Sequence, residues 1–418
     1  MQYGCIGEHL PHSFSKIIHE KIGGYSYELK ELAPEELDGF MRARAFCGIN
    51  VTIPYKEKVI PYLDDISPRA RAIGAVNTIV GRAGRLYGDN TDFIGLKTLL
   101  ERNGIDLSGA KVLIAGTGGT SKTAQAVAES CGAARILRVS RTGREGAISY
   151  DEAYAAHADA DVIINTTPCG TFPEVRGVSI DLRRFTKLRG VADAVYNPLR
   201  TELLLTAAEL GIPAAGGLYM LVAQAVAAAE LFTESTISAD VTERIFRDIY
   251  AEKENIVLIG MPSCGKTTVG RLLAEMTGRR GVDVDDETQR LAGMHPSEYI
   301  KKHGAESFRA LEAQAVRELA PMQGVIISTG GGTVLRAENV RELRRNGRLY
   351  WLDRPCGLLT PTPDRPLSDT PEKLRALYDE RRDKYLAAAD ERITADVSAE
   401  ECAENILASA MRPKSQLS

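Results

Sequence analysis

Two stretches of this chain run from a short apolar segment into a glycine turn and then into a helix-forming segment. They constrain its architecture more than any other feature. The first is Lys111-Val112-Leu113-Ile114-Ala115, followed by Gly116-Thr117-Gly118-Gly119-Thr120-Ser121 and an alanine-rich stretch. The second is Asn255-Ile256-Val257-Leu258-Ile259, followed by Gly260-Met261-Pro262-Ser263-Cys264-Gly265-Lys266-Thr267. A buried strand, a glycine turn and a helix N-terminus make an anion site, because free backbone N–H groups and the helix dipole both favour negative charge. Two such units imply two nucleotide-binding domains. β-rich runs alternate with helical segments along the whole chain, which predicts an α/β protein of parallel sheets covered by helices. The 418 residues suggest about three folding units at roughly 150 residues each.

Composition excludes several function classes. The net charge of -4, with mixed signs, gives no footprint for a nucleic-acid partner. No apolar run reaches the roughly 18 residues of a membrane span, and the N-terminus MQYGCIGEHLPHSFSK lacks the form of a secretory signal. Seven cysteines without a C-x-x-C pair read as reduced thiols of a cytoplasmic protein. The histidines lack the spacing of a zinc site. Monomer and homodimer both stay open. Residues 235–254 carry Val241, Ile245 and Ile249 at helical spacing, which predicts an amphipathic helix closing the first half, then a short charged hinge near Glu252–Glu254.

In the second half, Gly260 to Thr267 fits G-x-x-x-x-G-K-[ST]. The backbone of Gly260, Ser263, Cys264, Gly265 and Thr268 would surround the ATP phosphates. Lys266 would neutralise their charge, and the Thr267 hydroxyl can hold Mg²⁺. Downstream come Asp283-Val284-Asp285, then Gly304-Ala305-Glu306-Ser307-Phe308-Arg309, then Ser328-Thr329-Gly330-Gly331-Gly332-Thr333, then Arg381 with Tyr385. In this order the segment 255–411 resembles shikimate kinase. The resemblance implies that Asp283 reaches Mg²⁺ through water and that Asp285 binds the acceptor and helps deprotonate its attacking hydroxyl. It makes Arg309 and Arg381 the forks on the acceptor's carboxylate, and sets Gly330, Gly331 and Gly332 beside its ring. Three departures stand out. Ser263 replaces a third loop glycine, which is tolerable if its backbone needs no positive φ. Ala305 replaces a glutamate, with Glu306 one place late. The lid region Leu358–Leu367 is short and proline-rich, and Arg365 is its one available cation. Cys264 reads as a small filler residue.

In the first half, the strand Arg135–Val139 runs into Ser140-Arg141-Thr142. An acidic residue there would bind the ribose 2′-hydroxyl of NAD, whereas Arg141 suits the 2′-phosphate of NADP. The cofactor contacts expected are Gly116, Gly118, Gly119, Thr120, Ser140, Arg141 and Thr142. Seven further strings appear in order: His12-Ser13-Phe14-Ser15, Asn50-Val51-Thr52-Ile53-Pro54-Tyr55-Lys56-Glu57, Gly74–Thr78, Gly88–Gly95, Asn165–Gly170, Tyr196-Asn197-Pro198 and Gly217–Gln224. Across about residues 3–250 the chain resembles shikimate dehydrogenase. The resemblance implies Lys56 and Asp92 as the catalytic couple, and Ser13 and Ser15 on the substrate carboxylate. Thr52, Asn77 and Gln224 fall on its hydroxyls, and Tyr196 lies in the same pocket. Lys56 as an ammonium supplies both a proton and a charge partner to the alkoxide that hydride delivery leaves.

The fold expected is a mixed α/β substrate domain (1–96, completed by helices from about 216–250) and a Rossmann-like NADP domain (97–215). A P-loop kinase domain with a parallel five-stranded sheet (254–411) and a tail (412–418) follow. The function expected is bifunctional: NADPH-dependent reduction of 3-dehydroshikimate, then phosphorylation of shikimate with ATP and Mg²⁺. Two readings compete with it, a kinase-like half that binds without normal turnover and a dehydrogenase that prefers quinate or NAD.

Overall fold

Among the described residues, sixteen strands fall into three sheets, each built where β-branched and leucine-rich runs can be buried on a pleated surface. The computed structural model describes residues 1–10, 14–143, 146–361 and 369–410. By its contacts the chain divides into two units. Unit 1 holds Met1–Asn197 and Thr201–Asp248; unit 2 holds Pro198–Arg200 and, of the described residues, 249–410.

Unit 1 contains two of the sheets. The first has six strands in the order β2-β1-β3-β5-β6-β4. They are β1 (Tyr3–Gly7), β2 (Glu28–Glu31), β3 (Gly48–Val51), β4 (Asp65–Ile66), β5 (Thr78–Arg82) and β6 (Arg85–Asp89). β1 runs parallel to β2 and β3, while β3–β5 and β5–β6 are antiparallel, so this sheet is mixed rather than wholly parallel. The second sheet is β11-β10-β9-β7-β8 and wholly parallel. Its strands are β7 (Lys111–Ala115), β8 (Arg135–Val139), β9 (Val162–Asn165), β10 (Gly190–Asp193) and β11 (Ala214–Gly216). β7 has β8 on one side and β9 on the other, so chain order reverses direction there. Open parallel sheets bind ligands at such a reversal, beyond the carboxyl ends of the strands. The glycine turn after β7 and the Asn165 turn after β9 both lie at that end.

Unit 2 is built on β13-β14-β12-β15-β16, also five parallel strands. They are β12 (Asn255–Ile259), β13 (Gly281–Asp283), β14 (Ile326–Ser328), β15 (Gly347–Asp353) and β16 (Glu391–Thr394). β12 is central and every residue of it is buried, as a strand covered on both faces requires. No helix among the described residues is long and apolar enough to cross a membrane.

The expected hinge is not there. The helix Ala239–Lys253 buries Ile245 and Ile249 as its spacing predicts, but it runs to Lys253 and β12 begins at Asn255. Glu254 between them is buried and paired with Arg348 at 3.0 Å. A charged residue that meets its counter-ion inside the fold is no longer a solvated linker.

Candidate active sites

In unit 1 the pairing of β3 with β5 brings two distant strings together. β3 leads into Thr52 and Lys56, and the Lys56 carbonyl accepts the Val76 N–H at 2.8 Å, which fixes Lys56 beside Asn77. β6 ends at Asp89, and the turn Asn90-Thr91 starts the helix Asp92–Arg102. Hydrogen bonds from Arg69 and Ser67 outweigh the burial that would raise the Asp89 carboxyl, and hold it below the usual carboxylate range. That anchors the turn. Asp92 then opens a helix, where the dipole favours an anion. Lys56 Nζ lies 2.6 Å from Asp92 Oδ2, with 20% and 13% of the two side chains exposed.

The polar wall of this pocket is also assembled. Asn77 Oδ1 accepts the Thr91 N–H at 2.7 Å, and Asn77 Nδ2 donates to Thr91 Oγ1 at 3.1 Å. Gln224 reaches the same hydroxyl at 3.4 Å from the helix Leu218–Thr233. Gly95 makes that approach feasible, since a Cβ there would fall 2.5 Å from the Met220 carbonyl oxygen. Ser15 opens the helix Ser15–Ile22, and Phe14 before it packs on Tyr196 with ring centroids 5.2 Å apart. Ser13 lies outside the described residues. Thr91 is a polar centre of the site that the sequence reading passed over, although it stands inside the string Gly88–Gly95.

The dinucleotide turn has the steric form its chemistry needs. Gly116 has φ +117, and a Cβ there would fall 2.6 Å from Thr166 Oγ1, so only glycine fits. A Cβ at Gly118 or Gly119 would meet nothing within 4 Å, which leaves room for a phosphate at the N-terminus of the helix Gly119–Ser130. Thr120 sits in its first turn. Past β8, Ser140 Oγ accepts the Gly143 N–H at 3.1 Å, while Arg141 and Thr142 are exposed. A cation without an acidic neighbour in Ser140-Arg141-Thr142 fits NADP.

In unit 2 the loop Gly260–Gly265 joins β12 to the helix Lys266–Thr277. Lys266 Nζ folds back onto the carbonyls of Gly260 and Met261, each at 2.9 Å, and touches Cys264 Sγ at 3.8 Å. Cys264 is buried, consistent with a filler, and Thr267 and Thr268 are exposed in the first helical turn. Thr267 Oγ1 lies 3.4 Å from Asp283 Oδ2, so a hydroxyl and a carboxylate face one point, a donor set that suits Mg²⁺. Asp283 also caps the helix Val284–Ala292 by accepting the Asp285 N–H at 2.8 Å, and burial pushes its carboxyl up. Asp285 faces the glycine triplet: a Cβ at Gly330 would fall 2.5 Å from its Oδ1. Gly331 packs on Pro262 of the loop and accepts Arg381 Nη1 at 3.0 Å and the Tyr385 hydroxyl at 2.5 Å. Gly332 caps the short turn Thr333–Leu335.

Of three remaining expectations, the structure changes the first. Ser263 has φ +63, so the loop does demand a left-handed residue where a serine stands. Such a residue costs about 1–2 kcal/mol without glycine, offset in part by the entropy glycine adds to the unfolded chain. Ser263→Gly is therefore expected to stabilise the chain by about 0.5–1 kcal/mol in chemical denaturation; an unchanged or lower midpoint contradicts it. Second, Arg309 is exposed and sits 3.4 Å from Glu306. Arg336 shares that glutamate, and with Arg381 it acts on Glu312, a buried acid that accepts the Thr333 hydroxyl at 2.7 Å. Burial raises the Glu312 carboxyl, and the Asp285 charge adds to it. Glu312 and Arg336 were missed because neither falls in a distinctive string. Third, Arg365 lies outside the described residues.

Set against known proteins, residues 5–79 match the family model for the shikimate dehydrogenase substrate binding domain, and residues 262–411 match that for shikimate kinase. A shikimate dehydrogenase (NADP(+)) of Clostridium perfringens is 36% identical over 265 residues, covering 59% of this chain and 97% of that one. The crystal structure of shikimate dehydrogenase 1 from Peptoclostridium difficile aligns at 34% identity and TM-score 0.55, over 60% of this chain and 98% of its own. A chorismate mutase/shikimate 5-dehydrogenase fusion from Clostridium acetobutylicum aligns at 35% identity and TM-score 0.56, over 59% and 96%.

Proposed function

The chain belongs to the shikimate dehydrogenase family, and from that and its shikimate kinase segment we propose that one polypeptide performs two consecutive steps. The first is NADPH-dependent reduction of 3-dehydroshikimate to shikimate. The second is phosphorylation of shikimate to shikimate 3-phosphate with ATP and Mg²⁺. The product of one site is the substrate of the other.

The observation that carries the reading is the Lys56–Asp92 couple at 2.6 Å beside Asn77 and Thr91. NADPH supplies a hydride when bound; the rest falls to this chain's side chains. Lys56 holds a proton at the carbonyl oxygen and balances the negative charge that develops there. Asp92 holds the ammonium in place and accepts from the nascent hydroxyl. Ser13 and Ser15 take the carboxylate, and Thr52, Asn77, Gln224 and Tyr196 the remaining polar groups. Gly116, Gly118, Gly119, Thr120, Ser140, Arg141 and Thr142 hold the dinucleotide.

At the second site, magnesium-bound ATP supplies the phosphoryl group. Thr267 and Asp283 offer the oxygens for the ion, and Lys266 leaves the loop carbonyls for the phosphates. Asp285 takes the proton of the acceptor hydroxyl. Arg381 grips the acceptor carboxylate, with Arg309 or Arg336 as the second fork, and Arg365 is the lid cation. We assign 1–96 with 216–250 to substrate binding, 97–215 to NADP and 254–411 to the kinase. Seven cysteines without a disulfide suit the reducing cytoplasm.

The cofactor assignment is tested at Arg141. Loss of its charge from the 2′-phosphate site is expected to reduce the preference for NADPH over NADH, measured as the ratio of kcat/KM, by about tenfold or more in Arg141→Ala. An unchanged ratio would move the 2′-phosphate site elsewhere.

A further inference from the structure

Strand β10 ends on Asp193, whose side chain is fully buried and plays none of the roles assigned above. Each of its hydrogen-bond partners is a donor. Oδ1 accepts from Asn165 Nδ2 at 2.8 Å and from the Val195 N–H at 3.0 Å, and Oδ2 accepts the Thr201 hydroxyl at 2.6 Å. Among the described residues no lysine or arginine pairs with it. A buried carboxylate without a counter-ion is costly, and such groups gather where position or charge matters to function.

The surroundings show what it holds. On the cofactor side, Asn165 Oδ1 accepts the Thr167 N–H at 3.1 Å and its hydroxyl at 2.7 Å, and Thr166 Oγ1 donates to the Ala115 carbonyl at 2.7 Å, against Gly116. On the substrate side, the segment Ala194–Asn197 carries Tyr196 against Phe14. Its backbone is tied at three points: the Ala194 N–H to the Asn165 carbonyl at 2.9 Å, the Val195 carbonyl to the Gly217 N–H at 3.0 Å, and the Asn197 carbonyl to the Phe172 N–H at 3.0 Å. Gly217 precedes the helix that bears Gln224, and a Cβ there would fall 2.2 Å from the Ala194 oxygen. Asp193 sits where these ties converge.

We propose that Asp193 is a positioning residue for hydride transfer, locking the Asn165–Thr167 turn and the Ala194–Tyr196 segment to each other so that the two sides of the pocket keep one register. This rests on the dehydrogenase reading. As an ionised carboxylate Asp193 accepts on both oxygens, and the Thr201 hydroxyl donates to it while accepting the Leu204 N–H at 3.4 Å. A protonated carboxyl would donate to Thr201 instead and reverse that bond. Burial, opposed by the three hydrogen bonds, pushes the Asp193 carboxyl up to about 6. The titratable group its charge reaches is the Cys169 thiol, raised by burial and by Asp193, with Arg141 acting on it in the opposite sense.

Asp193→Asn tests this in the full chain, since it keeps the shape and the Oδ1 acceptor but reverses the Thr201 bond at every pH. The dehydrogenase kcat is expected to fall about tenfold at pH 7.5, with kinase activity on the same samples unchanged. A limb near pH 6 in the wild-type kcat–pH profile should vanish. Because the folded pKa lies above the ordinary carboxylate value, the contribution of this group to stability is full below about pH 4 and lost as pH rises through about 6. D193N should therefore gain stability relative to the wild type across that window. A D193N kcat within twofold of wild type, or both activities falling in step, overturns the proposal. Should D193N fail to fold, Thr201→Ser and Thr201→Val decide: the serine keeps the donor and the activity, the valine loses both, and equal kcat values overturn the lock. A wild-type chain that fails to reduce 3-dehydroshikimate with NADPH would sink the dehydrogenase reading itself.

Discussion

Lys56→Ala is expected to lower the dehydrogenase kcat by about three orders of magnitude while leaving the kinase at its wild-type rate. The size follows from the two duties that fall on one ammonium. It is the proton source for the forming hydroxyl, and it is the positive charge 2.6 Å from Asp92 in a pocket where both side chains are mostly shielded from water. Losing a positioned general acid costs roughly 10²–10⁴ in rate, and losing charge stabilisation adds to it. The Asp92 carboxylate would be left without its partner. Its place at a helix N-terminus limits the damage to folding. Steady-state rates of both reactions, with a melting curve on the same sample, check the expectation. A dehydrogenase rate within tenfold of wild type would remove Lys56 from the chemistry.

Lys266→Ala is expected to act in the opposite half, lowering kinase kcat by about 10²–10³ and sparing the dehydrogenase. Lys266 is held against the Gly260 and Met261 carbonyls, so its charge is stored within the loop that meets the phosphates. Truncation to alanine removes the one lysine of that loop, and no other side chain of Gly260–Thr267 carries a positive charge. Kinase turnover that survives at more than a tenth of the wild-type rate would mean that another cation does this work.

How far the sequence foretold these sites depends on how local the determining contacts are. Lys56 and Asp92 were legible because each stands in a distinctive string, and the β3–β5–β6 pairing that joins those strings follows from ordinary sheet register. The glycine at 116 was legible for the same reason, a turn whose chemistry is written in adjacent residues. Ser263 was not, because a side chain's identity does not state its φ, and the turn forces the left-handed region on a serine. Glu254 looked like a solvated hinge; its partner Arg348 lies far along the chain and arrives only when β15 pairs with β12. Glu306 was noticed as displaced by one position. On a helix of 3.6 residues per turn one step rotates a side chain by about 100°, which turns this carboxylate toward Arg309 and Arg336. Glu312 and Asp193 are ordinary acids in the sequence, and only the packing of distant turns around them gives them meaning.

The central claim is that one polypeptide carries a ketone-reducing site and a separate phosphoryl-transfer site that share an intermediate. Its most direct test is mass-spectrometric identification of the product when purified wild-type chain receives 3-dehydroshikimate, NADPH, ATP and Mg²⁺ together. Shikimate 3-phosphate is predicted, with shikimate accumulating in its place when ATP is withheld. NADPH oxidation that ends at shikimate even with ATP and Mg²⁺ present, or no NADPH oxidation at all, would contradict it.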